Sequence, residues 1–240
     1  MQYKHAVFRR LRGASLGLGA LALALGSVLT PAGAAQAAHL SAPSALSAQQ
    51  PAQLSRQVTS TCSADFSEGD RRLGPATLPN SGTVGWELKG YKRTGGLTSA
   101  EFLAQYYDAS ANSWIYPPQN GYQVRADGSP IIWRKTLAVG RELDRFGSEY
   151  GGFLSPAGTP YAERAIPPSN LAGTPAEGCN YRRYRVLKAF EVSAGPIAAW
   201  FEQRGDGWQY QLTGAYVAGA PATLNVLWLV DNGYLERVPL

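Results

Sequence analysis

The chain has 240 residues, 45% of them hydrophobic and 16% charged, and a formal net charge of +5. Four of its 22 lysines and arginines (Lys4, Arg9, Arg10, Arg12) and none of its 17 acids precede Ala38, so the remainder carries 18 basic against 17 acidic residues and is close to neutral. Such a balance leaves no basic footprint and predicts no nucleic-acid partner. Histidine occurs only as His5 and His39, which excludes a Ser-His-Asp triad, a Cys-His pair or a histidine-ligated zinc from the region beyond residue 60.

In chain order, residues 1–37 predict a secretory signal peptide. A basic start is followed by the apolar run Ala14 to Leu29 and by Ala35-Gln36-Ala37, a small-x-small cleavage pattern. The run is too short to span a bilayer, so the product is expected to be secreted, cleaved near Ala37 and free of membrane. Arg9-Arg10 also permits a twin-arginine export signal. Residues 38–60, rich in Ala, Ser, Gln and Pro, bury too little apolar surface to offset ordering entropy and read as a disordered linker. Residues 61–240 are the size of one domain with its own core. Cys62 and Cys179, the only cysteines, are expected to pair in an oxidising compartment. Their loop of more than a hundred residues would stabilise the fold by roughly 4 to 5 kcal/mol in the chain-entropy model. A thiolate nucleophile is then not expected.

Thr98-Ser99-Ala100-Glu101 is a capping box flanked by Leu97 and Phe102, predicting a helix to about Tyr107 that covers a sheet. Tyr122 to Arg125 and Ile131 to Thr136 flank Asp127-Gly128 and read as a hairpin. Tyr184 to Val192 reads as a strand. Trp208 to Val217 reads as a two-faced strand with Trp208 and Tyr210 in the core, and Leu224 to Val230 as a buried strand leading through Asn232-Gly233 into Tyr234 to Val238. The expected fold is mainly β (α+β): a single compact domain with a central antiparallel sheet and one or two short helices.

The densest unusual text is Leu143-Asp144-Arg145-Phe146-Gly147, then Glu163-Arg164-Ala165-Ile166-Pro167, then Gly205-Asp206-Gly207-Trp208-Gln209-Tyr210. These three ordered elements resemble the D-R-[FY]-G, E-R-x-[LI]-P and Gly-rich Gln-Tyr signature of the tuberculosis necrotizing toxin domain, found in bacterial toxins and fungal surface NAD glycohydrolases. Leu73-Gly74-Pro75, Leu78-Pro79 and Trp114-Ile115-Tyr116-Pro117-Pro118 are similar to the stand-alone secreted members. The resemblance runs from about Cys62 to the C-terminus, with the signature in 143–240, and implies hydrolysis of NAD, with NADP as a second substrate, to nicotinamide and ADP-ribose. It implies roles for Arg145 at a phosphate or the ribose, Arg164 as a supporting phosphate contact and Gln209 at the scissile bond.

Simple chemistry agrees with a histidine-free site. A planar guanidinium suits a pyrophosphate. Nicotinamide leaves from a cationic pyridinium and needs no general acid, which relaxes the usual demand for two carboxylates. An amide such as Gln209 can hold ribose hydroxyls or water, and Phe146 or Phe153 can pack on a sugar or nicotinamide face. Each residue also has a plainer role: Asp144-Arg145 and Glu163-Arg164 as loop-ordering ion pairs, Gln209 as a solvated strand residue, and the prolines at 117, 118, 167 and 168 as turn punctuation.

Three other readings stand beside the hydrolase: ADP-ribosyl transfer to a protein, a carbohydrate-binding β module without catalysis, and Glu149 with Glu163 as a glycosidase acid-base pair. No prosthetic group is expected and no G-x-G-x-x-G follows a strand. Asp231, Asn232 and Glu236 offer oxygen ligands for calcium beside a turn. Oligomeric state and a separate immunity protein are left open by the sequence.

Overall fold

The computed structural model describes residues 58–240. The expected signal peptide and most of the expected linker lie outside the described residues. No helix among those described is long and apolar enough to cross a membrane.

The domain is built on a seven-stranded antiparallel sheet. Its strands are β3 (Trp133–Leu137), β4 (Glu142–Phe146), β5 (Phe153–Pro156), β6 (Tyr181–Val186), β7 (Phe190–Pro196), β8 (Trp208–Gln211) and β9 (Leu235–Val238), in the order β3-β7-β8-β5-β4-β6-β9. A small separate ladder pairs β1 (Tyr107–Asp108) with β2 (Ser113–Trp114). Among the described residues four short α-helices accompany them: α1 (Gly82–Glu87), α2 (Ser99–Tyr106), α3 (Tyr161–Arg164) and α4 (Val226–Asp231).

One face of the sheet buries Leu137, Leu143, Leu154, Tyr184, Val192 and Tyr210 against Val226 and Leu229 of α4. On the other face Phe146 and Tyr181 pack with Tyr161, Leu171, Val84 and Leu88 of the N-terminal segment. Cys62 is bonded to Cys179 within that second cluster, 117 residues apart with Cα atoms 5.2 Å from each other. The segment is thereby tied to the start of β6.

The capping box forms as expected. The Thr98 hydroxyl accepts from the Glu101 amide and Glu101 accepts from the Thr98 amide. The helix it starts, however, covers no part of the large sheet. Phe102 and Tyr106 pack on Leu73, Phe201 and Trp114 in a third, aromatic cluster, because an amphipathic helix joins whichever apolar surface lies nearest in space.

Other expectations are corrected in the same way. The Asp127-Gly128 turn closes a single bridge, Val124 to Pro130, whereas β3 pairs with β7. The Tyr184 to Val192 strand is two strands, broken at 187–189, that sit at different places in the sheet. The strand from Trp208 ends at Gln211, and Trp208 is 42% exposed, stacked on Trp133 at the sheet margin, while Tyr210 is buried. Leu224 to Val230 forms α4 instead of a strand, since the Asn225 side chain caps the Trp228 amide at 2.9 Å. A short apolar run carries no period that distinguishes the two states.

Candidate active site

The second and third signature elements meet through their backbones. The Gly207 amide donates to the Glu163 carbonyl at 3.1 Å and the Gly205 amide to the Ala162 carbonyl at 3.2 Å, fastening the entry of β8 to α3. A Cβ on Gly207 would lie 2.6 Å from that same carbonyl oxygen, so the approach requires glycine. β4 and β8 flank β5, which pairs with both. Between these elements lies a cavity of about 480 Å³ lined by Tyr116, Asn120, Arg145, Phe153, Asn170 and Gln209, with Asp144 and Arg164 in its wall. That is within the range of small-molecule sites.

Gln209 is almost fully buried, on β8 beside Gly195 of β7. Its Nε2 donates to the Asn120 carbonyl at 2.9 Å. A carbonyl only accepts, so this contact fixes which end of the amide is nitrogen. The Oε1 atom accepts no hydrogen bond among the described residues and stands ready for a donor in the cavity.

Arg145 is the cation of the site. Its Nε donates to the Ser148 carbonyl and its Nη1 to the Phe153 carbonyl, both at 2.7 Å. No carboxylate is among its ion-pair partners in the described residues, and Nη2 keeps its hydrogens free. The loop-ordering ion pair with Asp144 is therefore not formed. Burial lowers the Arg145 pKa from its usual value, with Arg182 and Arg164 adding to the effect; the guanidinium is short of counter-charge. Gly151 makes room for it, because a Cβ there would run into the guanidinium itself.

Phe153 lines the cavity and gives Arg145 its carbonyl. Phe146 also lines the cavity; it is 2% exposed and packed against Tyr161 and Tyr181 with centroids 4.9 and 4.8 Å away.

Arg164 is 5% exposed. Its Nη1 lies 2.6 Å from Asp144, Nη2 is 3.0 Å from Glu87, and Nε and Nη2 donate to the Thr159 carbonyl. The guanidinium also sits 5.1 Å over the Phe146 ring. All three nitrogens are thus engaged, which makes it part of the wall and leaves little of its fork for a phosphate. Glu87 and Tyr181, which complete this buried cluster, carry no motif and were invisible in the sequence. So was Asn120, hidden behind a Pro-Pro turn; Tyr116 was quoted only within the element 114–118, and its exposed ring stands edge-on to Phe201.

Glu149 and Glu163 do not form a carboxylate pair at the cavity. Glu149 accepts from Tyr184 and Arg237, and Glu163 binds Arg204. Of the residues expected to offer calcium its ligands, Glu236 is paired with Arg185 at 3.0 Å and the Asn232 amide donates to the Trp228 carbonyl at 2.8 Å. No group of three His, Cys, Asp or Glu among the described residues is arranged to hold a metal ion.

Comparison with known proteins follows the same lines. Residues 136–238 match the family described as tuberculosis necrotizing toxin. The chain is 47% identical over 175 residues to the conidial surface nicotinamide adenine dinucleotide glycohydrolase of Aspergillus fumigatus, covering 71% of this chain and 70% of that protein. Among solved structures, the tuberculosis necrotizing toxin with its immunity factor overlaps 58% of this chain and 71% of its own, at 18% identity and a TM-score of 0.43. Rhs1-CT with its cognate immunity protein overlaps 52% of this chain and 85% of its own, at 11% identity and a TM-score of 0.31. With residues 136–238 matching the family and 47% of the 175 aligned residues identical to that fungal relative, the chain belongs to the tuberculosis necrotizing toxin family.

Proposed function

We propose that this protein is an exported NAD glycohydrolase, with Gln209 and Arg145 at its centre. The observation that carries the reading is Gln209, an amide anchored through nitrogen to Asn120 with its oxygen unoccupied at the cavity wall. The 47% identity to a surface NAD glycohydrolase supports it, and the N-terminal signal pattern supports export.

The chemistry follows from the parts. Arg145, held by two backbone carbonyls and lacking a carboxylate, is available to the pyrophosphate. Phe153 supplies an apolar wall for a ribose or nicotinamide face. As the C–N bond breaks, its electron pair leaves with nicotinamide, which departs neutral without a proton, and cationic character develops on the ribose. The Gln209 oxygen accepts from a ribose hydroxyl or from the attacking water, holding it in line. Water adds to the ribose and one proton is released with ADP-ribose. NADP is accepted if its extra phosphate finds room at the open side of the cavity. Arg164 acts from the wall, positioning β4.

The test is turnover of NAD by the purified protein, following nicotinamide and ADP-ribose together, with Arg145→Ala and Gln209→Ala as variants. Equal release of both products, lost in folded variants, is expected. Nicotinamide release that depends on an added protein acceptor would replace hydrolysis by transfer, and no release from folded, disulfide-bonded protein would refute the activity.

A further inference from the structure

Behind the Arg145 strand lies a cluster with two carboxyls and one guanidinium, all buried: Asp144 at 0%, Glu87 at 4% and Arg164 at 5% exposure. Between the carboxyls stands the Tyr181 hydroxyl, 2.6 Å from Glu87 Oε1 and 3.0 Å from Asp144 Oδ2. A phenol has one proton and cannot donate to both. Both contacts are satisfied as hydrogen bonds when one carboxyl carries a proton and donates to the phenol oxygen. Asp144 Oδ2 already accepts the Gly158 amide at 2.8 Å, and Asp144 Oδ1 faces Arg164 Nη1 at 2.6 Å. Oδ1 thus sits against the cation without accepting a hydrogen bond, and Oδ2 accepts from a backbone amide. The proton then belongs on Glu87 Oε1, whose other oxygen faces Arg164 Nη2. So arranged, the cluster is neutral, with one anion and one cation.

The two sides of the cluster open differently. Asp144 and Arg164 form part of the wall of the substrate cavity. Glu87 and Tyr181 border a second cavity, also about 480 Å³, together with Thr83, Arg141, Glu142, Gly158 and Arg183. Glu87 can thus exchange a proton with solvent from behind. The charged and titratable groups facing it are Arg164 from α3, Asp144 from β4 and Tyr181 from β6, with Arg141, Glu142 and Arg183 around the rear opening; Glu142 is itself paired with Arg183 and Arg185.

We infer that Glu87 and Asp144 share one buried proton through the Tyr181 hydroxyl, and that loss of this proton weakens the neighbouring cavity for an anionic dinucleotide, making Glu87 a positioning residue. The inference rests on the proposed substrate class. Deprotonation leaves one uncompensated negative charge behind the wall that holds Arg145, opposing a pyrophosphate and loosening the grip of Arg164 on Asp144. Burial pushes the Glu87 carboxyl up to about 7, with Arg164 opposing and Asp144 reinforcing the rise, so the change falls near neutral pH.

Two measurements on the whole purified protein test it. Infrared difference spectroscopy between pH 6 and pH 8.5 should show a protonated-carboxyl stretch that disappears with rising pH and is missing in Glu87→Gln. Calorimetric binding of ADP-ribose, whose pyrophosphate does not titrate in this range, should weaken about tenfold or more over the same interval, because the added carboxylate opposes both of its negative charges. In Glu87→Gln the affinity should be flat with pH; in Tyr181→Phe, a second variant that keeps both carboxyls, the midpoint should move. Absence of the carboxyl band in the wild type, or an unchanged midpoint in Glu87→Gln, overturns the inference. Binding that follows this pattern without NAD turnover would uphold it while refuting the hydrolase, so the two failures are distinct.

Discussion

Replacing Glu87 by Gln should change how stability depends on pH, apart from any effect on ligand binding. The carboxyl is raised from its ordinary 4.5 to about 7 by burial, so the fold prefers its neutral form. Its contribution is complete below about pH 4.5 and is lost as pH rises towards 7, after which it is constant. The span corresponds to about 3 kcal/mol, or roughly 6 to 12 °C in melting temperature for a domain of this size. Asp70, Asp108 and Asp127 are held below their usual values, chiefly by side-chain hydrogen bonds to Arg72, Ser110 and Ser129 respectively. Their stabilisation is lost only as pH falls through the acid range, so they leave the window between 4.5 and 7 to Glu87. Urea unfolding of wild type and Glu87→Gln at several pH values across that window should show the wild type losing about 3 kcal/mol relative to the variant. Parallel stability curves would refute the assignment of a buried, neutral Glu87.

Gly151→Ala should expel the Arg145 guanidinium from its seat, lowering kcat/KM for NAD roughly 30- to 100-fold, as loss of a charge-assisted contact does, with the urea midpoint nearly unchanged. Arg164→Met should cost about 3 to 5 kcal/mol at pH 8, because it strands Asp144 and Glu87 without their cation; the deficit should shrink at pH 5, where a carboxyl can take up a proton, and a pH-independent loss would contradict this. Thr98→Ala should remove about 1 kcal/mol by uncapping α2 while leaving NAD turnover intact, since that helix packs in the aromatic cluster of Leu73 and Phe201; chemical denaturation beside a turnover assay decides it. Reduction of Cys62–Cys179 should destabilise the domain by about 2 to 5 kcal/mol, measurable as a lower melting temperature in reductant and absent in a Cys62→Ser variant.

What could be seen in the sequence was what short-range chemistry specifies. The capping box at Thr98 declares a helix start because its two hydrogen bonds join residues three apart. The paired cysteines were legible from the compartment that the N-terminal pattern implies. Partners brought in by the sheet were not. Arg145 and Arg164 look alike beside their acids, yet β4 keeps Arg145 free of carboxylates while α3 delivers Arg164 to Asp144 and Glu87. Phe146 and Phe153 are equally aromatic, and only the packing of Tyr161 and Tyr181 decides that the first is core. Glu87 stands 57 residues before Asp144 in an unremarked helix, so no spacing could announce their meeting. Leu224 to Val230 was misassigned because its all-round apolarity suits either a buried strand or a buried helix, and the Asn225 cap was the available discriminator.

The sheet order has a consequence for when activity begins. β4, which carries Arg145, is flanked by β5 and β6, and β6 acquires its outer neighbour only from β9, while Gln209 arrives on β8 between β7 and β5. The neighbours are far apart along the chain, so closure of the ladder is slow and late. A growing or threading chain that has passed Arg145 holds half of a site, with no amide across from the cation until residue 209 is free to pair. The two polar sides of the cavity therefore face each other only once β8 has paired between β7 and β5.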